Sequence, residues 1–201
     1  MDIKNDIHIM EMNDKLYQRL KQSELVIHAK VESVLRQISS WKYATHEFYV
    51  PAPYQNELAG LPNGRIRKNI EEKDRLKIAG LYSFGFNAEG KILCSQEAPD
   101  NIGNGIITDI YEYDNAFSYY VYHVKYIPNQ YTTIISISYF YPYHEMNIFQ
   151  GINSYKDWSV YLYEYDKERI SKVHRYASRW DNMPAEEYNF AYENNLLCAI
   201  V

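Results

Sequence analysis

Hydrophobic residues in the N-terminal part of the chain recur at helical spacing. Between residues 13 and 39 they repeat at steps of three, four and seven positions, which places them on one stripe of a helix. Ser23 marks a break that would divide this segment into two shorter helices. We expect the stripe to bury against a sheet that follows, and a partner-binding or coiled-coil helix is the alternative. The stripe comprises Leu16, Leu20, Ile27, Val31, Val34 and Ile38.

From residue 78 onward the helical pattern gives way to the two-residue alternation of strands. Between residues 160 and 176, Tyr161, Tyr163 and Tyr165 alternate with other residues and therefore share one face of an extended segment. The polar residues 166–168 predict a turn, after which the chain returns as a second strand.

Turn-forming residues divide the rest of the chain into further strands. A short strand is expected at residues 46–50, ahead of two prolines, and a loop is expected from Pro142 to the strand at residue 160. Residues 188–195 and 196–201 are expected to form the last hairpin. The predicted turns lie at residues 62–64, 87–90, 115 and 128–130, and a loop is predicted at residues 99–105.

The spacing of the aromatic strands is regular. The last aromatic residue before each turn recurs at steps of 27, 28, 24 and 27 residues. Such a step accommodates two strands and two turns, so each period predicts one hairpin of a long antiparallel meander. The five residues are Phe86, Tyr113, Tyr141, Tyr165 and Tyr192.

Each period carries an aromatic-x-aromatic pair, an Asp, Asn or Glu turn, and then Ile or Leu. This pattern resembles the YD-type hairpins of Rhs and related bacterial repeat proteins. The similar part is about ten residues of each unit, and the consensus glycine is present only at Gly90. The resemblance implies hairpin architecture and a bacterial type of protein, and it brings no catalytic residues with it.

The patterns together predict an α+β fold, in which an N-terminal helix packs on a large, twisted antiparallel meander of about eight to ten strands. The sheet is expected to be open or partly closed. At 201 residues the chain is expected to form a single domain. Its parts are a helical segment at 1–40, a linking strand and loops at 41–77, and the hairpin sheet at 78–201.

Composition and charge narrow the classes of function. The chain has 22 tyrosines against 7 phenylalanines and 3 tryptophans, and tyrosine suits a half-buried sheet face. A net charge of -5 argues against a nucleic-acid binder and fits an acidic surface that meets a basic partner. The one basic cluster, between Arg65 and Lys77, is interpreted as a solvated face.

The two cysteines are too few for a disulfide scaffold, so a cytoplasmic location is expected. We see neither an apolar stretch of membrane-spanning length nor a signal peptide, and we expect no membrane association. Cys94 is interpreted as a small core residue. The C-terminal residues 198–201 fit a prenylation pattern and are interpreted as the last strand of the sheet.

None of the six histidines lies in a metal-binding or catalytic motif, so no catalytic residue, metal site or cofactor is predicted. The adjacent pairs His46-Glu47 and His144-Glu145 do not by themselves make an acid–base pair, because neighbours in a strand point to opposite faces. Convergence of such groups in three dimensions stays open.

The favoured hypothesis is a non-enzymatic protein-interaction domain, in its concrete form an immunity-like inhibitor that binds a basic bacterial toxin. The alternative is a small-ligand-binding barrel or an enzyme whose pocket is lined by tyrosines, with His123, His144 or His174 as polar groups. A homodimer formed through exposed sheet edges is a third hypothesis. The predicted partner-binding residues are Tyr111, Tyr113, Tyr161, Tyr163 and Tyr165.

Overall fold

The computed structural model describes residues 3–61, 64–99, 105–178, 185–193 and 196–201, apart from the side chain of Lys4. Three α-helices and twelve strands make up the described chain, together with two short 3₁₀ turns. The helices are α1 (Ile7–Ser23), α2 (Ile27–Arg36) and α3 (Gln55–Leu58). The strands are β1 (Ser40–Ala44), β2 (Ile66–Arg67), β3 (Tyr82–Phe86), β4 (Ile92–Glu97), β5 (Ile106–Tyr113), β6 (Tyr119–Ile127), β7 (Tyr131–Tyr143), β8 (Met146–Asn153), β9 (Trp158–Asp166), β10 (Arg169–Ala177), β11 (Glu186–Glu193) and β12 (Leu196–Ile200).

All twelve strands belong to one antiparallel sheet, in the order β12-β11-β10-β9-β8-β7-β6-β5-β4-β3-β1-β2. Strands β2 and β12 form the two edges, so the sheet is open. The α+β class with an N-terminal helical layer on an antiparallel meander is confirmed. The strand count exceeds the expected eight to ten, because β2 and β8 had no predicted counterpart.

The loop predicted from Pro142 to residue 160 is wrong. Strand β7 continues through Pro142, and β8 pairs with it across a two-residue turn in which His144 has a φ of 54°. Strand β6 pairs with β7 only as far as Phe140, so Pro142 has a neighbouring strand on the β8 side alone. Its missing N–H is tolerated because it faces the side without a neighbouring strand. Pro142 therefore lies in a part of β7 that is paired on one side only, and it does not end the strand.

The strand predicted at residues 46–50 is also displaced. The observed strand β1 precedes it, at Ser40–Ala44, where Trp41 and Tyr43 are two residues apart and share one face. Residues 45–61 instead leave the sheet and contain Tyr54 with a left-handed φ of 56°, just before the short helix α3. We refer to residues 45–61 as the covering segment, since it lies over one face of the sheet.

The hairpin turns at residues 87–90, 115 and 128–130 are confirmed. Asn87 accepts hydrogen bonds from the backbone N–H groups of Glu89 and Lys91, and Asn129 supplies a left-handed φ of 59°. The last strand is confirmed as well, because β12 pairs with β11. Parts of three other predicted connections, at residues 62–63, 100–104 and 194–195, lie outside the described residues.

The predicted break after Ser23 is confirmed, and the first helix begins earlier than expected, at Ile7. Asp6 caps this helix by accepting from the N–H groups of His8 and Ile9 at 2.9 and 3.2 Å. The helix therefore begins nine residues, or about two and a half turns, ahead of Leu16, the first residue of the hydrophobic stripe. Four residues of that stripe are buried against the sheet: Leu16, Leu20, Ile27 and Val31. No described helix is both long and apolar enough to cross a membrane.

Two polar contacts join the helices to the sheet. The fully buried amide of Gln150 on β8 donates to the Ile9 carbonyl and to the Asn13 side chain, both at 2.8 Å, and accepts from the Tyr141 hydroxyl at 2.9 Å. Glu112 on β5 pairs with Arg19 of α1 at 2.7 Å and with Lys30 of α2. Both helices are therefore fixed at defined positions along the strands.

The opposite face of the sheet, which we call the tyrosine face, has a core of its own. Tyr111 and Tyr163 are buried there with Ala52 and Leu58 of the covering segment. The Tyr119 hydroxyl donates to the Pro51 carbonyl at 2.7 Å and holds the segment in place. Both faces of the central strands are consequently packed.

Candidate functional site

The five predicted partner-binding tyrosines lie together on the tyrosine face, as their alternation predicts. Two of them are buried in its core, with 6% of Tyr111 and 0% of Tyr163 exposed, and Tyr113, Tyr161 and Tyr165 are half-buried. The Tyr113 hydroxyl donates to the Ile92 carbonyl at 3.0 Å, and that of Tyr165 accepts from Asn147 at 2.9 Å. Much of this tyrosine surface therefore packs internally.

The hydroxyls of Tyr111 and Tyr163 have no hydrogen-bond partner among the described residues. Burial raises the pKa of both phenols far above the ordinary value of 10. An unpartnered buried hydroxyl reduces stability, since it has lost its contacts with water and gained none in return.

Beside Tyr111, charged residues from adjacent strands meet on the same face. Asp109 of β5 lies directly opposite His123 of β6 and opposite Ser95 of β4. An Asp109 carboxylate oxygen lies 2.7 Å from His123 Nδ1, and its second oxygen accepts from the Ser95 hydroxyl at 3.3 Å. Asp109 is 8% exposed, so the pair has a buried carboxylate and a more accessible imidazole.

Two further carboxylates act on this pair. Glu97 lies two residues beyond Ser95 on the same face of β4, and Glu47 lies near the start of the covering segment. Burial raises the pKa of Glu47 from 4.5 to about 7, the Asp109 and Glu97 charges add to this, and His123 opposes it. We call Glu47, Glu97, Asp109 and His123 the acidic cluster.

Histidine protonation also depends on the acidic cluster. Burial lowers the pKa of His123, but the hydrogen bond and charge of Asp109 outweigh it, so the pKa is raised above 6.5. The pKa of Glu47 is thus raised to about 7 and that of His123 above its ordinary value, and such shifts are typical of functional sites. Within the described chain, none of the three carboxylates forms an ion pair with a lysine or arginine, so the cluster carries an excess of negative charge.

The other histidines of the sequence hypotheses lie elsewhere. His144 occupies the turn between β7 and β8, and His174 of β10 hydrogen-bonds Glu164 at 2.9 Å. They do not converge with His123, and the open sheet provides no barrel interior around them. Over the described residues no group of three or more His, Cys, Asp or Glu side chains is arranged to hold a metal ion.

Cys94 is fully buried, and burial raises its pKa to about 12, as befits a core residue.

Sequence reasoning missed the acidic cluster because its members are far apart along the chain. The one available signal was the spacing of two predicted strands around the turn at residue 115, which aligns Asp109 with His123. Glu47 gave no such signal, since the strand predicted at residues 46–50 is not formed and these residues lie in the covering segment, outside the sheet.

Replacing Glu47 with glutamine is expected to stabilise the protein above pH 7. A folded pKa raised from 4.5 to about 7 favours folding below pH 4.5, and this contribution is lost as the pH rises through 7. The shift corresponds to at most about 3 kcal/mol, and access of solvent to this half-buried group reduces the expected gain to about 1–2 kcal/mol. Urea unfolding of both proteins at pH 8 and pH 5 measures it. An equal difference at the two pH values would contradict the assignment of the shift to Glu47.

Comparison with known proteins gives no match: no family model fits the chain, and no curated protein or solved structure is significantly similar to it. The resemblance to YD-type hairpins therefore stays a prediction. The geometry of the acidic cluster and the charge of the chain are the basis for assigning a function.

Proposed function

We propose that this protein is a non-enzymatic interaction domain that binds a basic protein, in the manner of an immunity protein that inhibits a toxin. The observation that supports it best is the acidic cluster, in which His123 is the one cationic group among the described residues that pairs with the three carboxylates. A basic partner would supply the missing positive charge. The net charge of -5 would also accelerate encounter with such a partner.

The surroundings of the acidic cluster suit a protein interface. Half-buried tyrosines on the same face offer rigid rings with polar tips, a combination that interfaces favour. Tyr113, Tyr161 and Tyr165 are the members with accessible surface, while Tyr111 and Tyr163 support them from below. The resemblance of the hairpins to bacterial YD-type repeats points to the same biology by association.

The proposal is tested by affinity capture from a lysate of the source organism, with wild-type protein and two double variants. Glu47→Gln/Asp109→Asn removes two charges from the acidic cluster. Glu89→Gln/Glu193→Gln removes two charges from exposed positions elsewhere and serves as the matched control. We expect one basic protein in one-to-one amounts, held by the wild type and the control and released by the cluster variant and by raised salt. Capture of the same protein by the cluster variant at wild-type affinity, or of none by the wild type, would reject the proposal.

A second candidate function rests on the 2.7 Å contact between His123 and Asp109. An imidazole oriented by a buried carboxylate is the arrangement of a general base, and Glu47 would be a general acid at neutral pH. A reaction lost in His123→Ala but retained in a surface-histidine variant such as His46→Ala would favour an enzyme. The excess of negative charge favours the binding function over this one.

A further inference from the structure

We propose that the acidic cluster is a receptor for a guanidinium group, the side chain of an arginine on the partner protein. This inference deepens the proposed function and rests on it for the source of the arginine. The cluster supplies carboxylates from three elements: Glu47 from the covering segment, Glu97 from β4 and Asp109 from β5. A planar guanidinium has five N–H donors and can contact more than one carboxylate at once.

Hydrogen bonding within the cluster leaves acceptors available. The Asp109 oxygens are engaged by His123 and Ser95, and Glu97 accepts from the Tyr82 hydroxyl, whereas no described lysine, arginine or histidine forms an ion pair with Glu47 or Glu97. Lys125, two residues beyond His123 on the same face of β6, forms none either. An incoming cation would therefore meet two carboxylates, Glu47 and Glu97, that form no ion pair with a described side chain, whereas Asp109 already contacts His123.

Tyr111 provides a second and independent indication of a ligand. Its side chain is 94% buried, as 6% is exposed, and its hydroxyl has no hydrogen-bond partner within the described chain. Tyr111 lies two residues beyond Asp109 on the same face of β5, and the charges of Asp109 and Glu47 both raise the pKa of its phenol. The hydroxyl oxygen can accept from a guanidinium N–H, which would give this buried group the partner it lacks.

Aromatic rings already bind cations elsewhere on this sheet. The Arg19 guanidinium carbon lies 3.9 Å from the ring centroid of Tyr120, and Lys91 Nζ lies 3.5 Å from that of Tyr113. Contacts of this kind add to the attraction between a cation and carboxylates when water is partly excluded. Tyrosine rings of this sheet thus bind both kinds of cation, and the planar guanidinium of arginine is the one that can also contact more than one carboxylate with parallel hydrogen bonds.

Binding should depend on pH, because the carboxylates must be ionised. The titratable and charged groups around the site are Glu47 of the covering segment, Tyr82 of β3, Glu97 of β4, Asp109 and Tyr111 of β5, and His123 and Lys125 of β6. As the pH falls, Glu47, whose pKa is about 7, becomes protonated, and protonation of His123 adds a positive charge; both changes oppose a bound cation. Affinity should thus be higher at pH 8 than at pH 5.5, and binding near pH 7 should release protons.

The test uses the full chain and two small probes, N-acetyl-arginine methylamide and its neutral isostere N-acetyl-citrulline methylamide. Amide NMR titration at pH 8 should show shifts around Glu47, Asp109 and His123 with the arginine probe, at a Kd on the order of 1–10 mM. The citrulline probe should cause none. We expect about tenfold weaker binding at pH 5.5 and in Glu47→Gln, and unchanged binding in Glu89→Gln, whose side chain is exposed.

Equal shifts with both probes, absence of shifts near the cluster, or wild-type affinity in Glu47→Gln would each overturn the inference. Its failure is separable from that of the proposed function. A partner still captured through Glu47 and Asp109 without arginine binding would reject the guanidinium and keep the interaction domain. Arginine binding without any captured partner would support the site and reject the proposed function.

Discussion

Tyr163→Ala is expected to lower the free energy of unfolding by about 3–5 kcal/mol, the largest effect of any substitution discussed. Tyr163 is completely buried in the core of the tyrosine face, beneath the covering segment. Its loss would leave a ring-sized cavity between β8, β9 and β10, because the strands on either side are fixed by their ladders and cannot close it. Urea unfolding followed by tyrosine fluorescence measures the effect.

Tyr163→Phe is the matched control for this prediction. It keeps the ring and removes a hydroxyl that has no partner in the described chain, so stability should stay the same or rise by about 1 kcal/mol. A large loss in the phenylalanine variant would show that the hydroxyl has a partner after all. The pair also separates folding from binding, since serine or alanine at Tyr163 would weaken any complex through the fold alone.

Gln150→Leu is expected to lower the free energy of unfolding by about 2–4 kcal/mol, although leucine has similar volume and is more hydrophobic. The substitution removes a buried amide that contacts the Ile9 carbonyl, Asn13 and the Tyr141 hydroxyl. Each of those groups would keep its burial and lose its partner. Thermal unfolding gives the change in stability, and hydrogen exchange along α1 should show that the N-terminal part of this helix opens first.

The turn residue Gln130, which is exposed, offers the control. Gln130→Leu should change stability by less than about 0.5 kcal/mol, as surface substitutions usually do. Unchanged exchange of α1 in Gln150→Leu would contradict the role of Gln150 in holding the helix against β8.

The periodicity of the chain predicted most of the fold. The five aromatic residues at near-constant spacing lie at or within two residues of the ends of β3, β5, β7, β9 and β11, so every period is one hairpin. The local pattern around Pro142 nevertheless predicted a loop where the structure has β8. Proline lacks a donor, but whether a donor is needed depends on the neighbouring strand, and the sequence does not reveal that β6 ends at this point.

The candidate site was less predictable, for a related reason. Alternation placed the five tyrosines on one face. It did not show that a second layer covers them, because part of residues 45–61 was predicted as a strand and the rest has no pattern that indicates where it packs. Asp109 and His123 meet through cross-strand register, and Glu47 joins them only once the covering segment is in place. Local sequence patterns show which residues share a face of a helix or strand. A site also depends on segments from elsewhere in the chain that pack on that face.

The order of the strands has a consequence for how the protein forms during synthesis. From β3 to β12 every strand pairs with its neighbours in sequence, so successive hairpins can add to a growing sheet as the chain emerges. The helix α1 is made first, yet its hydrogen bond from Gln150 to Ile9 spans 141 residues. Its apolar stripe must therefore wait, exposed, until β8 has been synthesised, and in that interval the nascent chain would be most prone to aggregate or to recruit a chaperone.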